Sequence, residues 1–217
     1  MFRFDLSIAE ELVFTARLLY DKGLANAFEG NVSVRAGDAV YITPSAVCKG
    51  FLKPEQVAVV ALDGAVLHAD GVKPSSETRL HLACYAARPD VKGVVHAHPP
   101  HATAFAVAGR EISAPGYPEA LVLYGKIPLA AYGRPSTDGI WQGVVPLLPD
   151  YDVVLLENHG VVAVGGTALE AFFRLESAES IARVLILAET LGGEKPLPEQ
   201  ERAALSEMHR KQRACCP

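Results

Sequence analysis

The sequence predicts a single α/β domain with a mainly antiparallel central sheet sandwiched by helices. Half of its 217 residues are apolar, enough for one well-buried core over residues 1–217 and rather few for two. Strand-like runs are joined in pairs by short turns, and amphipathic helical stretches are mixed among them. No G-x-G-x-x-G or G-x-x-x-x-G-K-[ST] loop is present, which argues against a doubly wound parallel sheet.

Taken in order, Ser7 and Glu10 have the spacing of a capping box and open a predicted helix over 8–22. Leu12, Val13, Ala16, Leu19 and Tyr20 fall on one face of it, and Gly23 supplies a left-handed stop. Segments 31–35 and 40–43 predict a hairpin around Gly37-Asp38, and 57–62 with 65–68 a second around Asp63-Gly64. Ser75 or Ser76 can cap a helix running to about residue 87, before Pro89. A buried strand at 91–98 precedes a short helix after Pro99-Pro100. Strands follow at 127–131, 153–156 and 161–164, with a helix near 137–148 between the first two. Thr167 and Glu170 form a second capping box that opens the longest helix, ending at Gly192-Gly193. A charged helix over 198–211 closes the chain, within a tail at 194–217 expected to be mobile.

The formal net charge of −5, with acidic and basic residues interspersed, offers no basic stripe for nucleic acid or an anionic membrane. A phosphorylated substrate therefore needs a local site. No apolar run reaches membrane-spanning length, and the first residues lack the core of a signal peptide. Cys48 and Cys84 are isolated and Cys215-Cys216 adjacent, so no disulfide framework is visible; reduced thiols in the cytoplasm are expected.

The sharpest chemical feature is His96-Ala97-His98 at the end of an apolar run. Residues two apart on a strand share a face, so both imidazoles can reach one ion. Leu155-Leu156-Glu157-Asn158-His159-Gly160-Val161 places a third histidine at a turn between apolar strands. Three histidines suit a catalytic zinc site with an open position, and the cysteines contribute little to a closed structural one. Histidine sites accept several metals, so Mn2+ or Co2+ are alternatives. His68, His81, His101 and His209 are weaker candidates, His101 being expected on the helix after His98.

Pro74-Ser75-Ser76-Glu77 precedes a helical pattern, where free N–H groups and the helix dipole favour an anion and two hydroxyls add donors. Glu77 is expected in the first turn, beside any ligand held there. Gly30-Asn31 enters a strand with an amide donor, and Thr43-Pro44-Ser45-Ala46 leaves one through a turn.

Together Glu29-Gly30-Asn31-Val32-Ser33-Val34-Arg35, Ile42-Thr43-Pro44-Ser45, Pro74-Ser75-Ser76-Glu77, Val95-His96-Ala97-His98 and Asn158-His159-Gly160 resemble the class II aldolase and adducin family, in its L-fuculose-phosphate aldolase branch. The pieces occur in the family's order and span roughly 8–190. The resemblance implies an α/β/α fold, a cyclic homotetramer with active sites near subunit boundaries, and zinc on His96, His98 and His159. It further implies that Glu77 can ligate the metal and act as acid or base. Phosphate would be bound by Asn31, Ser45, Ser75 and Ser76, with Gly30 and Ala46 beside them, and Tyr117 matches a tyrosine proton donor. Two positions depart from the branch. Ala46 stands where it usually has glycine, and no tyrosine follows Glu207, whereas that branch brings one to the aldehyde side. These departures point away from fuculose 1-phosphate itself and toward a less polar 5-deoxy or 5-methylthio pentulose 1-phosphate.

The expected reaction is reversible cleavage of a ketose 1-phosphate to dihydroxyacetone phosphate and an aldehyde. The same fold also hosts a methylthioribulose-1-phosphate dehydratase, sugar-phosphate 4-epimerases, sugar-acid-phosphate decarboxylases and the non-catalytic adducin-like assembly modules. The interval from His98 to His159 is like the aldolase branch and shorter than in the epimerases, and the intact histidine and glutamate set argues against a pure assembly module.

Overall fold

The computed structural model describes residues 2–134, 137 and 139–215, the last two as backbone only. Its strands are β1 (Asn31–Ala36), β2 (Ala39–Ile42), β3 (Ala58–Ala61), β4 (Val66–His68), β5 (Gly93–Ala97), β6 (Leu129–Ala130), β7 (Val153–Leu156) and β8 (Gly160–Gly165). They form one sheet in the order β4-β3-β2-β1-β5-β8-β7-β6. Among the described residues every strand pairing is antiparallel except β6 with β7, so the expected sheet is present with one parallel edge.

Helices cover both faces. Alternate side chains of each strand point to opposite sides, which divides the core in two. On one side α1 (Leu6–Asp21), α3 (Pro100–Val107) and α6 (Ala168–Thr190) pack Leu12, Leu19, Phe172 and Leu175 with Val32, Val95 and Val161. On the other, α2 (Thr78–Ala87) and α5 (Gly139–Gln142) pack Leu80, Tyr85 and Ile140 with Val40, Val94 and Val162. Each such fully buried side chain contributes about 1.5–3 kcal/mol. Two further helices, α4 (Pro118–Tyr124) and α7 (Glu199–Cys215), lie against each other.

Several local expectations change. The side chain that caps α1 is Asp5, which accepts from the Ser7 N–H; Ser7 lies inside the helix. Gly23 has the expected left-handed φ of 68°. Glu77, not Ser75 or Ser76, occupies the N-cap of α2, and its side chain makes no capping bond. The predicted strand at 127–131 shrinks to β6 because Ile127 pairs with Ile112 in an isolated bridge and Pro128 has no N–H to give a ladder. The predicted helix at 137–148, of which residue 138 lies outside the described residues, breaks into α5 and a 3-10 turn at Val145–Leu147. Gly143 falls in the break, where an added Cβ would stand 2.8 Å from the Ala131 carbonyl oxygen. At α6, Thr167 caps Glu170 as expected, while the Glu170 carboxylate accepts from the Gly166 N–H. No helix among the described residues is long and apolar enough to cross a membrane. Cys48 and Cys84 are free thiols, and the side chains of Cys215 and Cys216 lie outside the described residues.

Candidate active site

The three histidines meet at one end of the central strands. His96 and His98 leave β5, and His159 sits in the turn joining β7 to β8. Their ligand nitrogens all lie within 4.8 Å of one another, and the ring centroids are 4.8–4.9 Å apart. The turn that presents His159 closes with its N–H on the Leu156 carbonyl, and Asn158 takes the left-handed conformation at φ 56°. Gly160 is required by closeness: a Cβ there would meet the His98 ring at 2.4 Å. Gly30 combines a φ of 71° with a Cβ position 3.0 Å from the His96 carbonyl oxygen, so a side chain would be strained twice over.

Other groups fix the rings. The fully buried His96 donates from Nδ1 to the Val161 carbonyl at 2.9 Å, which leaves Nε2 as the ligand atom. His98 turns Nδ1 to Glu29 Oε2 at 3.3 Å and places Nε2 3.2 Å from His96 Nε2. Burial, then the neighbouring His96 charge, pushes His98 below its ordinary range and His159 down to about 4. Burial opposes charge on His96 as well, but Glu77 outweighs it and raises His96.

Glu77 reaches in from the start of α2. Its Oε2 lies 3.2 Å from His96 Nε2 and accepts from Asn31 Nδ2 at 2.9 Å, while Oε1 stands 3.4 Å from His159 Nε2. Burial alone would push this carboxyl up; His96, Asn31 and His159 together hold it well below the usual carboxylate range. Glu77 Oε1 is buried with no hydrogen-bond partner. Three imidazole nitrogens and an orphaned carboxylate oxygen around one point fit a divalent metal by donor type, donor number and unmet demand.

A cleft of about 260 Å³ opens beside this cluster. It is lined by Gly30, Asn31, Ser45, Ala46, Ser75 and Ser76, so the expected phosphate-binding positions gather next to His98, His159 and Glu77. Two loops are tied together there. Ser45 Oγ donates to the Pro74 carbonyl at 3.0 Å and accepts from the Ser76 N–H at 3.1 Å. Ala46 holds the left-handed conformation, φ 57°, that glycine adopts without strain. Ser75 Oγ accepts from the Glu77 N–H at 3.2 Å.

Tyr117 is not among the residues lining the cleft; it precedes α4 and packs against the core on the α1/α3/α6 side. Of the weaker candidates, His101 binds Glu179 at the start of α3, His209 bonds the Val122 carbonyl, and His68 stacks near Phe4.

Sequence reasoning missed two members of the site. Glu29 was visible as a motif residue, but its contact with His98 follows only from the turn into β1. Lys49, in a 3-10 turn at Lys49–Phe51, lines the cleft at 2% exposure. No hydrogen bond or ion pair engages its side chain among the described residues. Burial lowers its pKa, against the pull of Cys48 and Glu77.

The comparisons with known proteins agree with this geometry. Residues 10–186 match the family described as Class II Aldolase and Adducin N-terminal domain. The L-fuculose phosphate aldolase of Methanocaldococcus jannaschii is 34% identical over 183 residues, covering 82% of this chain and 95% of the relative. The 3-oxo-tetronate 4-phosphate decarboxylase of Escherichia coli K12 is 32% identical over 198 residues, covering 89% and 91%. Among solved structures, an L-fuculose 1-phosphate aldolase superposes with a TM-score of 0.86 at 27% identity, covering 95% of this chain and 98% of that one. Since the match spans most of the sheet and both sides of the histidine cluster, the chain belongs to the class II aldolase and adducin family, in its fuculose-phosphate-aldolase-like branch.

Proposed function

We propose that this chain is a divalent-metal-dependent lyase, with zinc the expected ion, that reversibly cleaves a ketose 1-phosphate to dihydroxyacetone phosphate and an aldehyde. The observation that carries the proposal is the convergence of His96, His98 and His159 on one point beside an unpartnered Glu77 oxygen. A metal held by His96, His98 and His159 would supply Lewis-acid polarisation of the substrate carbonyl.

The chain's own groups do the rest. Ser45, Ser75, Ser76 and Asn31 hold the phosphate, and the Lys49 ammonium supplies the local positive charge that a net-acidic protein otherwise lacks. Anchoring that remote end lowers the entropy cost of aligning the reacting carbons. In the condensation direction the ionised Glu77 removes a proton from the hydroxymethyl carbon of dihydroxyacetone phosphate; in cleavage it returns that proton to the same carbon. The hydroxyl of the departing aldehyde needs a second acid–base group. Tyr117, which does not line its own chain's cleft, or another group from a neighbouring copy serves there, in a homotetramer with sites near subunit boundaries. Phe28, 77% exposed on the cleft rim, leaves room for such a neighbour. A cytoplasmic location belongs to the same proposal and is supported by the unpaired Cys48 and Cys84.

A second reading is decarboxylation of a sugar-acid phosphate, favoured by the Escherichia coli decarboxylase relative. Incubation with a panel of ketose 1-phosphates and sugar-acid phosphates separates the readings. Dihydroxyacetone phosphate release supports cleavage; carbon dioxide, water loss or an epimer each replaces it. Glu77→Gln is expected to keep most bound metal and lower kcat by on the order of 100- to 10,000-fold. Undiminished cleavage with retained metal would remove Glu77 from the proton transfer, and a zinc-free native protein would favour an assembly role.

A further inference from the structure

We propose that His81, which does not line the cleft, is a positioning residue that locks the Asn31 amide with its NH2 group facing the active site. Asn31 and His81 are 4% and 0% exposed, and β1 pairs with β5 so that Asn31 stands directly opposite His96. An ionised carboxylate only accepts hydrogen bonds, so the Asn31 atom 2.9 Å from Glu77 Oε2 is its NH2. The amide oxygen then points to His81 Nε2 in a close contact, which requires a proton on that nitrogen. The ring is fully buried with no carboxylate bonded to either nitrogen, which favours its uncharged form. Nδ1 is therefore bare and accepts from Ser33 Oγ at 2.6 Å, and Ser33 in turn accepts from the Tyr85 hydroxyl at 2.7 Å.

Every group in this chain of bonds has one role, and the order cannot be reversed locally. A flipped Asn31 amide would set its oxygen against the Glu77 carboxylate and its NH2 against the His81 N–H, leaving two mismatched contacts in a buried place. The consequence lies in the cleft. The donor that steadies Glu77 is the same donor offered to an anionic ligand once Glu77 moves aside, a step that rests on the proposed function above. Asn31 thus serves two acceptors in turn without rotating, because His81 holds its other end.

The test uses the full chain with labelled histidine. Nitrogen NMR at neutral pH is expected to show His81 as the neutral Nε2–H tautomer, with zinc and without it; an Nδ1–H tautomer or an imidazolium overturns the lock. His81→Gln places an NH2 near the Nε2 position, whereas His81→Leu removes the donor. Inorganic phosphate binding, followed by calorimetry on metal-free and zinc-loaded protein, is expected to weaken about tenfold in the leucine variant and less than about twofold in the glutamine variant. KM for a phosphorylated ketose should follow the same order. Equal phosphate affinity in the two folded variants refutes the lock. A wild type with the expected tautomer that neither binds phosphate nor cleaves any ketose phosphate would instead sink the functional reading and leave the lock standing.

Discussion

The two ends of the β7–β8 hairpin each gather a cluster of charged and polar side chains, and they are built on opposite plans. At the turn, His159 joins His96, His98 and Glu77, with the Nδ1 of His159 and Oε1 of Glu77 both buried and without a hydrogen bond. At the open end, Asp152 receives Arg88 at 3.1 Å, Arg213 at 3.3 Å and Arg174 at 3.5 Å. Each arginine there has a further acceptor: Arg88 the Leu148 carbonyl and Asp90, Arg174 the Val164 carbonyl and Glu170, Arg213 the Pro149 carbonyl. One cluster is closed upon itself and clips α2, α6 and α7 to the hairpin. The other has unmet bonding capacity; each borders a cavity, of about 360 Å³ at the arginines and about 260 Å³ at the histidines. Unsatisfied buried atoms cost free energy, and two of the four such side-chain atoms among the described residues meet at this point, the others standing singly on Thr103 in α3 and Arg202 in α7.

The comparison can be broken first at the turn. His159→Ala should lower activity by on the order of 1,000-fold or more and reduce bound zinc, with little change in melting temperature of the metal-free protein. Full metal content in this variant would remove His159 from the ligand set. At the opposite end the signs exchange. Asp152→Ala should cost about 2–3 kcal/mol in urea unfolding, because three arginines lose a shared acceptor, while kcat of the folded fraction stays near wild type.

The pH dependence sharpens the contrast further. Burial pushes the folded-state pKa of His81 down to about 3, whereas the unfolded chain takes up that proton near the ordinary histidine value of about 6.5. Its folded pKa is lowered, so the unfolded state binds more protons and stability falls as pH drops from about 6.5 toward 3. His81 should contribute up to about 1.4 kcal/mol per pH unit to that slope, a share lost in His81→Gln, while His98 and His159, lowered too, keep theirs. A slope unchanged by that substitution would assign the effect to other groups. Smaller effects follow at the cleft. Lys49→Met should raise KM for a phosphorylated ketose about tenfold and leave kcat within about twofold; an unchanged KM would show that the ammonium does not meet the phosphate. Ala46→Gly should stabilise the fold by about 0.5–1 kcal/mol, the relief of a left-handed alanine less the entropy cost of glycine, measured by thermal unfolding.

The strands and the histidine cluster were legible in the sequence because both follow short-range rules. Apolar runs between turn residues gave β1 with β2 and β3 with β4, and the spacing of His96 and His98 placed two rings on one face. What escaped depends on approach across the fold. Helix α4 does carry a local start signal, Pro118 at its first position and Glu119 in its first turn, but it has no side-chain cap and runs for only seven residues, too few to show a clear period. Asp5 and Ser7 both offer a capping oxygen, and which one serves is settled by where the chain enters the helix. Lys49 reads as a surface lysine until its turn folds over the cleft, and His81 reads as one apolar-helix histidine until Ser33 and Asn31 arrive from β1.

The order of the sheet carries a last consequence. The rings come from β5 and from the β7–β8 turn in the protected middle of the sheet, whereas Ser45, Ala46 and Lys49 sit on connecting segments. A change in one of those connecting segments can therefore reshape the cleft without disturbing the strands that carry the rings.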